Sequence, residues 1–338
     1  MKFGWRGALG VAVSAVFLYF AFRNLDLPNA MTKAREANYW LLAASALTAT
    51  CMFPLRAIRW RVILDPIAPK LPFGPLWRSV AIGQMVTNVV PLRAGELARS
   101  FALTRQIPSV SFATSLASVA VDRVFDGIVT MLLLAAGVGL THFPPSTTVG
   151  RYSLNHAAGL VVVGAFVLLL GFYALVFFPQ TLIRLFELVA RRVSATVERR
   201  GSEMLHRFSE GLSVIRKPRH FAAVTWWTLL HWLLQPVAFW LALLAVGIHV
   251  PLAATLVLQG IIVILVAFPS PVPGFFGPFE LGAKLALGLY GVSDSDAVTY
   301  ALLFHVASFI PITVIGAYYF IRLGVHMGDI NSAANSGQ

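Results

Sequence analysis

Apolar residues dominate seven stretches of this chain: Gly7 to Phe22, Tyr39 to Leu55, Phe112 to Leu140, Ala157 to Phe178, Phe221 to Ile248, Leu252 to Phe268 and Ala297 to Ile321. None shows the polar face that a surface helix of a soluble domain would carry. Runs of this length with few charges predict membrane-spanning helices. Two further stretches are apolar but interrupted. Pro75 to Leu92 contains Arg78, Gln84 and Asn88 and ends in a Pro91-Leu-Arg-Ala-Gly95-Glu96 corner, and PSPVPGFFGPFELGAK precedes the short run Leu285 to Tyr290. The expected fold is all-α, a polytopic membrane helix bundle of about seven or eight transmembrane helices with two broken or re-entrant helices. Paired interruptions of this kind would make an inverted repeat. One membrane domain is expected over residues 1–322. Its first half runs to about residue 178, an amphipathic linker covers 180–220, and the second half covers about 221–322. Residues 323–338, ending in a Ser/Asn/Ala/Gly-rich run, read as a flexible tail.

Composition and charge fix the environment and suggest an orientation. The chain has 338 residues, 58% of them hydrophobic and 12% charged, with 26 Lys+Arg against 14 Asp+Glu. Mean hydropathy is +0.77. The basic excess sits in loops beside apolar runs, which points to anionic lipid headgroups and the positive-inside rule rather than to nucleic acid. Residues 180–220 hold nine Lys/Arg against four Glu, interleaved with Leu182, Ile183, Leu185 and Phe186. Amphipathic helices on the cytoplasmic membrane surface are expected there. Arg56, Arg59, Trp60 and Arg61 read as a basic aromatic edge at the cytoplasmic interface. Gly7 to Phe22 resembles a signal peptide but lacks a small-x-small cleavage site, so an uncleaved first helix with a cytoplasmic N-terminus is expected. The loop with Asp294 and Asp296 falls outside. Placing Arg322 inside then requires residues 269–291 to cross. The lone Cys51 excludes an intrachain disulfide.

Candidate chemistry gathers at the interruptions. A half-helix starting inside a membrane presents free N–H groups and the positive end of its dipole, which suits an anion such as a phosphate. Asn88, Arg93, Gly95, Glu96 and Arg99 belong to the first break; Pro273, Gly274, Gly277, Glu280 and Lys284 belong to the second. Glu280 has a competing role, because Gly277 as N-cap, Pro278 at N1 and Glu280 at N3 make a good helix start by themselves. Asp122, Arg123 and Asp126 lie well inside the Phe112–Leu140 run. Each such charge costs roughly 2.5 to 3.5 kcal/mol on insertion scales, so they are expected to face the bundle interior and be paired, structurally to Arg93 or Arg99 or functionally to a substrate. His231, Gln235, Gln259 and His305 read as interhelical hydrogen-bonding residues. No aspartate-rich prenyl-transfer pair, nucleophile elbow, metal helix or P-loop is present, so neither a catalytic residue nor a cofactor is assigned.

GQMVTNVVPLRAGELAR, VDRVFD, RAIRWR and PSPVPGFFGPFE together resemble the lysylphosphatidylglycerol synthase transmembrane-region family, whose members are also called flippase-like membrane proteins. The likeness extends over about residues 5 to 322. It implies a membrane domain that moves a lipid between leaflets. It also implies no lysyl transfer here, since some members carry a fused cytosolic aminoacyl-transferase domain for that step. Where the resemblance leads one to expect Glu-Arg, this chain has Asp122-Arg123, which keeps the charge on a shorter acid. The expected function is translocation of an anionic phospholipid or an isoprenoid or hopanoid lipid across the bacterial inner membrane. An integral-membrane transferase acting on a lipid headgroup is the first alternative. A non-catalytic partner of a lipid-modifying enzyme, held through residues 180–220, is the second, and an oligomer is compatible with either.

Overall fold

The computed structural model describes residues 16, 19–22, 25–90, 94–141, 148–149, 152–191, 194, 198–199, 201–202, 205, 217–267, 273–325 and 328–330. Most of the expected first helix, Arg93, residues 269–272 and most of the tail lie outside them. The described helices are α1 (Leu27–Glu36), α2 (Tyr39–Leu64), α3 (Phe73–Val89), α4 (Gly95–Gln106), α5 (Phe112–Leu140), α6 (Leu154–Phe177), α7 (Pro179–Ala190), α8 (Pro218–Ala245), α9 (Leu252–Ala267), α10 (Pro278–Gly288) and α11 (Asp294–Arg322). A two-residue β-ladder, Thr148–Val149 with Tyr152–Ser153, precedes α6. Among the described residues, α2, α5, α8 and α11 are long and apolar enough to cross a membrane. Their outer faces expose residues such as Trp226, Leu233, Ile310 and Val314, and α6 exposes Leu160, Val163 and Phe166. A bundle apolar on its outside as well as its inside is built for lipid.

Local signals start these helices. Asn38 accepts from the Trp40 and Leu41 amides, Ser111 from Thr114 and Ser293 from Asp296, so α2, α5 and α11 each begin on a side-chain cap. The α5 boundaries coincide with the apolar run Phe112 to Leu140.

Long-range contacts sort the helix ends onto two opposite ends of the bundle. At one, His220 Nε2 lies 3.5 Å from Asp65 Oδ2 and Arg105 Nη1 lies 3.6 Å from Asp329 Oδ2. Leu64, Leu71, Leu103 and Val110 also share a core there. At the other, the Asn38 amide donates to the Ala245 carbonyl at 2.8 Å. Lys33 pairs with Asp296 at 2.6 Å at that end, and Ala37, Val246 and Leu287 pack together. We call these the Asp65 end and the Asn38 end.

Two helix pairs have both outer ends on the same side of the bundle. Arg78 donates to Gln106 at 2.7 Å while Gly83 and Gly95 touch, so α3 and α4 lie antiparallel and both open at the Asp65 end. Gly95 is required for this approach: a Cβ there would collide with Thr87 Oγ1 and the Gly83 carbonyl. α9 begins at the Asn38 end, where Gly137 near the close of α5 abuts Leu256, and α10 finishes at the same end. The 17 residues of α3 rise about 25 Å and the 16 of α9 about 24 Å, against about 43 Å for the 29 of α5. α3 and α9 are thus each at least about 18 Å shorter than α5. Residues 268–272, between α9 and the turn at Pro273–Phe275, lie outside the described residues. The tips meet, because Gly274 sits against the Asn88 carbonyl.

Candidate functional site

Asp122 and Asp126 lie one turn apart on the buried face of α5. Arg59 of α2 reaches both, with Nη2 2.5 Å from Asp122 Oδ1 and Nη1 2.6 Å from Asp126 Oδ1. Arg99 of α4 holds the other Asp122 oxygen at 2.8 Å, and Arg56 Nε stands 3.6 Å from it. Trp232 of α8 donates its indole N–H to Asp126 at 2.6 Å. Toward the first break, Arg123 pairs with Glu96 at 2.8 Å and with Asp126 at 3.3 Å. Four guanidinium groups thus meet three carboxylates, and the cluster keeps one formal positive charge.

Arg56 and Arg59 are the main correction to the sequence reading. Both were placed at an interfacial edge, yet Arg59 and Trp60 are fully buried. The Trp60 indole donates to Ser118 at 2.8 Å while its ring lies 3.9 Å under the Arg99 guanidinium. RAIRWR does lie near the Asp65 end, as an interfacial motif should, but the Arg56 and Arg59 side chains turn inward. The signal that could have found them is the pair of arginines three residues apart, hence on one face of a largely apolar helix and apart from Arg61, with two aspartates one turn apart on another.

The second break is held differently. Gly274 and Gly277 adopt positive φ (65° and 95°), and so does Phe275 (62°). The Gly277 amide donates to Glu280 Oε2 at 2.6 Å, which is the expected cap. The other Glu280 oxygen lies 2.7 Å from His305 Nδ1. His305 Nε2 donates to the Gly274 carbonyl at 2.7 Å, and Phe276 stacks on its ring at 4.1 Å.

Between the breaks lies a cavity of about 460 Å³. The first pair lines it with Gly83, Gln84, Thr87, Gly95, Glu96 and Arg99, and the second with Gly274 and Phe275. Arg56, Arg123, Asp126 and His305 complete its polar wall. A smaller space of about 260 Å³ shares that wall and adds Asn88, whose amide receives a bond from Gln84 and donates to Thr313. Among the described residues, Arg99 Nε and Nη2 have no hydrogen-bond partner although Arg99 is 3% exposed. Asp122 lies behind the cavity and anchors Arg99. Lys284 does not join the group: its Nζ lies 2.9 Å from Asp294 and 3.3 Å from the Phe20 carbonyl, toward the Asn38 end. Pro273 and Gly277 shape the break without lining the cavity. Arg93 lies outside the described residues.

The sequence profile described as the lysylphosphatidylglycerol synthase TM region matches residues 7–316. The chain belongs to that family. As a lysylphosphatidylglycerol synthase TM-region protein it is a multi-pass membrane protein with a lipid-related setting. It is also 30% identical over 138 residues to a protein named glycosyltransferase AglD from Haloferax volcanii. That match covers 38% of this chain and 22% of the archaeal protein.

Proposed function

We propose that the protein translocates an anionic or isoprenoid-type lipid between the leaflets of the bacterial inner membrane, binding its phosphate in the cavity between the two breaks. The observation that carries this is Arg99, a buried residue that lines a cavity and whose guanidinium Nε and Nη2 have no partner among the described residues, in a bundle built for lipid. A phosphate oxygen supplies the acceptors those donors lack, in the charge-assisted form that guanidinium favours. The single positive surplus of the cluster suits a phosphodiester. Arg93 follows the tip of α3 in sequence and would add a second donor set.

The two-ended arrangement of the bundle supports the orientation. Arg61, Arg105, Lys217, Arg219 and Arg322 gather at the Asp65 end with the start of α7, whereas the Asn38 end carries Lys33, Arg35 and Lys284 beside Asp26, Asp294 and Asp296. With the positive-inside rule, the Asp65 end and the N-terminus face the cytoplasm. The α3–α4 pair then re-enters from the cytoplasm and the α9–α10 pair from outside. The basic 180–220 segment lies against anionic headgroups.

The test is a leaflet-resolved assay. Purified protein is placed in liposomes with headgroup-labelled lipids, and outer-leaflet accessibility is followed over time. Protein-dependent exchange is expected, falling at least about tenfold in Arg99→Gln. Exchange by that variant at the wild-type rate would remove the site. A second reading, transferase activity on a lipid headgroup, is favoured by the likeness to glycosyltransferase AglD. Formation of a new lipid product from a labelled donor, with no exchange of unmodified lipid, would replace the first reading.

A further inference from the structure

His305 has an acceptor on each side of its ring. Nδ1 lies 2.7 Å from Glu280 Oε1, and Nε2 lies 2.7 Å from the Gly274 carbonyl. A neutral imidazole has a single N–H, and neither a carboxylate nor a backbone carbonyl can donate. Both contacts are hydrogen bonds only when the pair holds one proton beyond a neutral ring and a carboxylate. That proton makes the ring an imidazolium, or it makes Glu280 an acid whose O–H donates to Nδ1. Charge balance asks for the same proton. Glu280 is fully buried, its other oxygen takes the Gly277 amide, and among the described residues its ion-pair partner is His305. A buried carboxylate with neither cation nor proton is costly. His231 makes the contrast: its Nδ1 meets the Met52 carbonyl at 3.0 Å, which a neutral tautomer satisfies.

What the proton holds is the tip of the second hairpin. Gly274 and Phe275 turn there through left-handed backbone, and Gly274 abuts the Asn88 carbonyl of the first hairpin. Phe275 lines both spaces between the breaks. Without the proton, one N–H must serve two acceptors. Either Glu280 or the Gly274 carbonyl then faces a bare nitrogen lone pair. His305 lines the same two spaces and is 7% exposed, which gives a proton its route.

Other charged groups stand nearby without joining the pair. Arg56, Arg123 and Asp126 line both spaces with His305, Glu96 and Arg99 line the larger, and His231 lines the smaller. α3 contributes Gln84 and Asn88 there, and α9 has no charged residue. Lys284 of α10 is turned to Asp294, and Asp296 at the start of α11 pairs with Lys33 of α1.

We propose that Glu280 and His305 together form a proton-binding site, whose proton latches the tip of the second hairpin to α11 beside the cavity. Release of the proton frees the Gly274–Phe275 turn and with it the contact between the two breaks. The site does not rest on the lipid reading above.

The experiment follows backbone amide exchange over Gly274 to Gly277 in the purified full chain between about pH 5 and 8, corrected for the intrinsic pH dependence of exchange. Glu280→Gln is the diagnostic variant. Glutamine keeps an acceptor for the Gly277 amide and offers Nδ1 an N–H that does not titrate, so it imitates the protonated pair. The wild-type tip is expected to be protected at the acid end and to lose at least about tenfold of that protection by the alkaline end, while α5 keeps its own. Glu280→Gln is expected to hold its protection across the whole range. Wild-type protection at the tip that does not change with pH overturns the proposal, with or without the variant. A loss that persists in Glu280→Gln also overturns it, because another group then drives the change.

Discussion

Glu96 and Glu280 each open a short helix just after a glycine, in hairpins that enter from opposite ends of the bundle. Glu280 is closed off: one oxygen caps the Gly277 amide and the other faces His305, and the residue is fully buried. Glu96 sits on the cavity, caps no amide among the described residues, and pairs with an Arg123 whose side chain is 37% exposed. The same short sequence pattern therefore gives a fastened turn in one hairpin and an open, charged one in the other. The difference comes from what lies opposite. His305 of α11 meets the second break with a group that can satisfy it, whereas the first break meets a cluster with cationic donors to spare. A pattern of glycine and glutamate predicts where a helix restarts; its neighbours decide whether the start is a fastening or a site.

Substitutions break or sharpen that contrast. The largest effect is expected for Asp122→Ala, which takes from Arg99 its carboxylate and leaves Arg59 only Asp126, and should cost about 3 to 5 kcal/mol, read as loss of folded protein in detergent. Gly95→Ala pushes a Cβ into Thr87 and the Gly83 carbonyl, so about 2 kcal/mol is expected, read as a lower unfolding temperature. Glu280→Ala removes the cap and the His305 contact together and should cost about 1 to 2 kcal/mol in the same measurement. Glu96→Ala should change stability by less than about 1 kcal/mol, as for other partly exposed ion pairs, while altering lipid exchange. A Glu96 loss as large as that at Glu280 would erase the distinction between the hairpins.

Much of this arrangement is legible in the residues, and the parts that are not share a cause. α5 is visible end to end because every side of it is apolar and Ser111 marks its start. The second cap is visible because Gly277, Pro278 and Glu280 lie within one turn and need no distant partner. Arg59 is not, because an arginine beside tryptophan near a helix end reads the same whether it faces headgroups or the bundle. Its partners Asp122 and Asp126 lie more than sixty residues away. Lys284 misleads for the same reason: its proximity to Glu280 in sequence suggests a shared site, yet Asp294 of the next helix draws it off.

The unbalanced charge of the arginine–aspartate cluster bears on how the protein meets an electric field. Moving one elementary charge through a membrane potential involves about 2.3 kcal/mol per 100 mV. On the proposed translocation, a phosphodiester bound at Arg99 would cancel the surplus, so the loaded site would be formally neutral and its change of access would do little electrical work. The empty site keeps its charge, and its return is the step that the voltage would favour or oppose. A full cycle would still move the single negative charge of the cargo, so the cargo sets the direction in an energised membrane while the voltage acts on the return of the empty site.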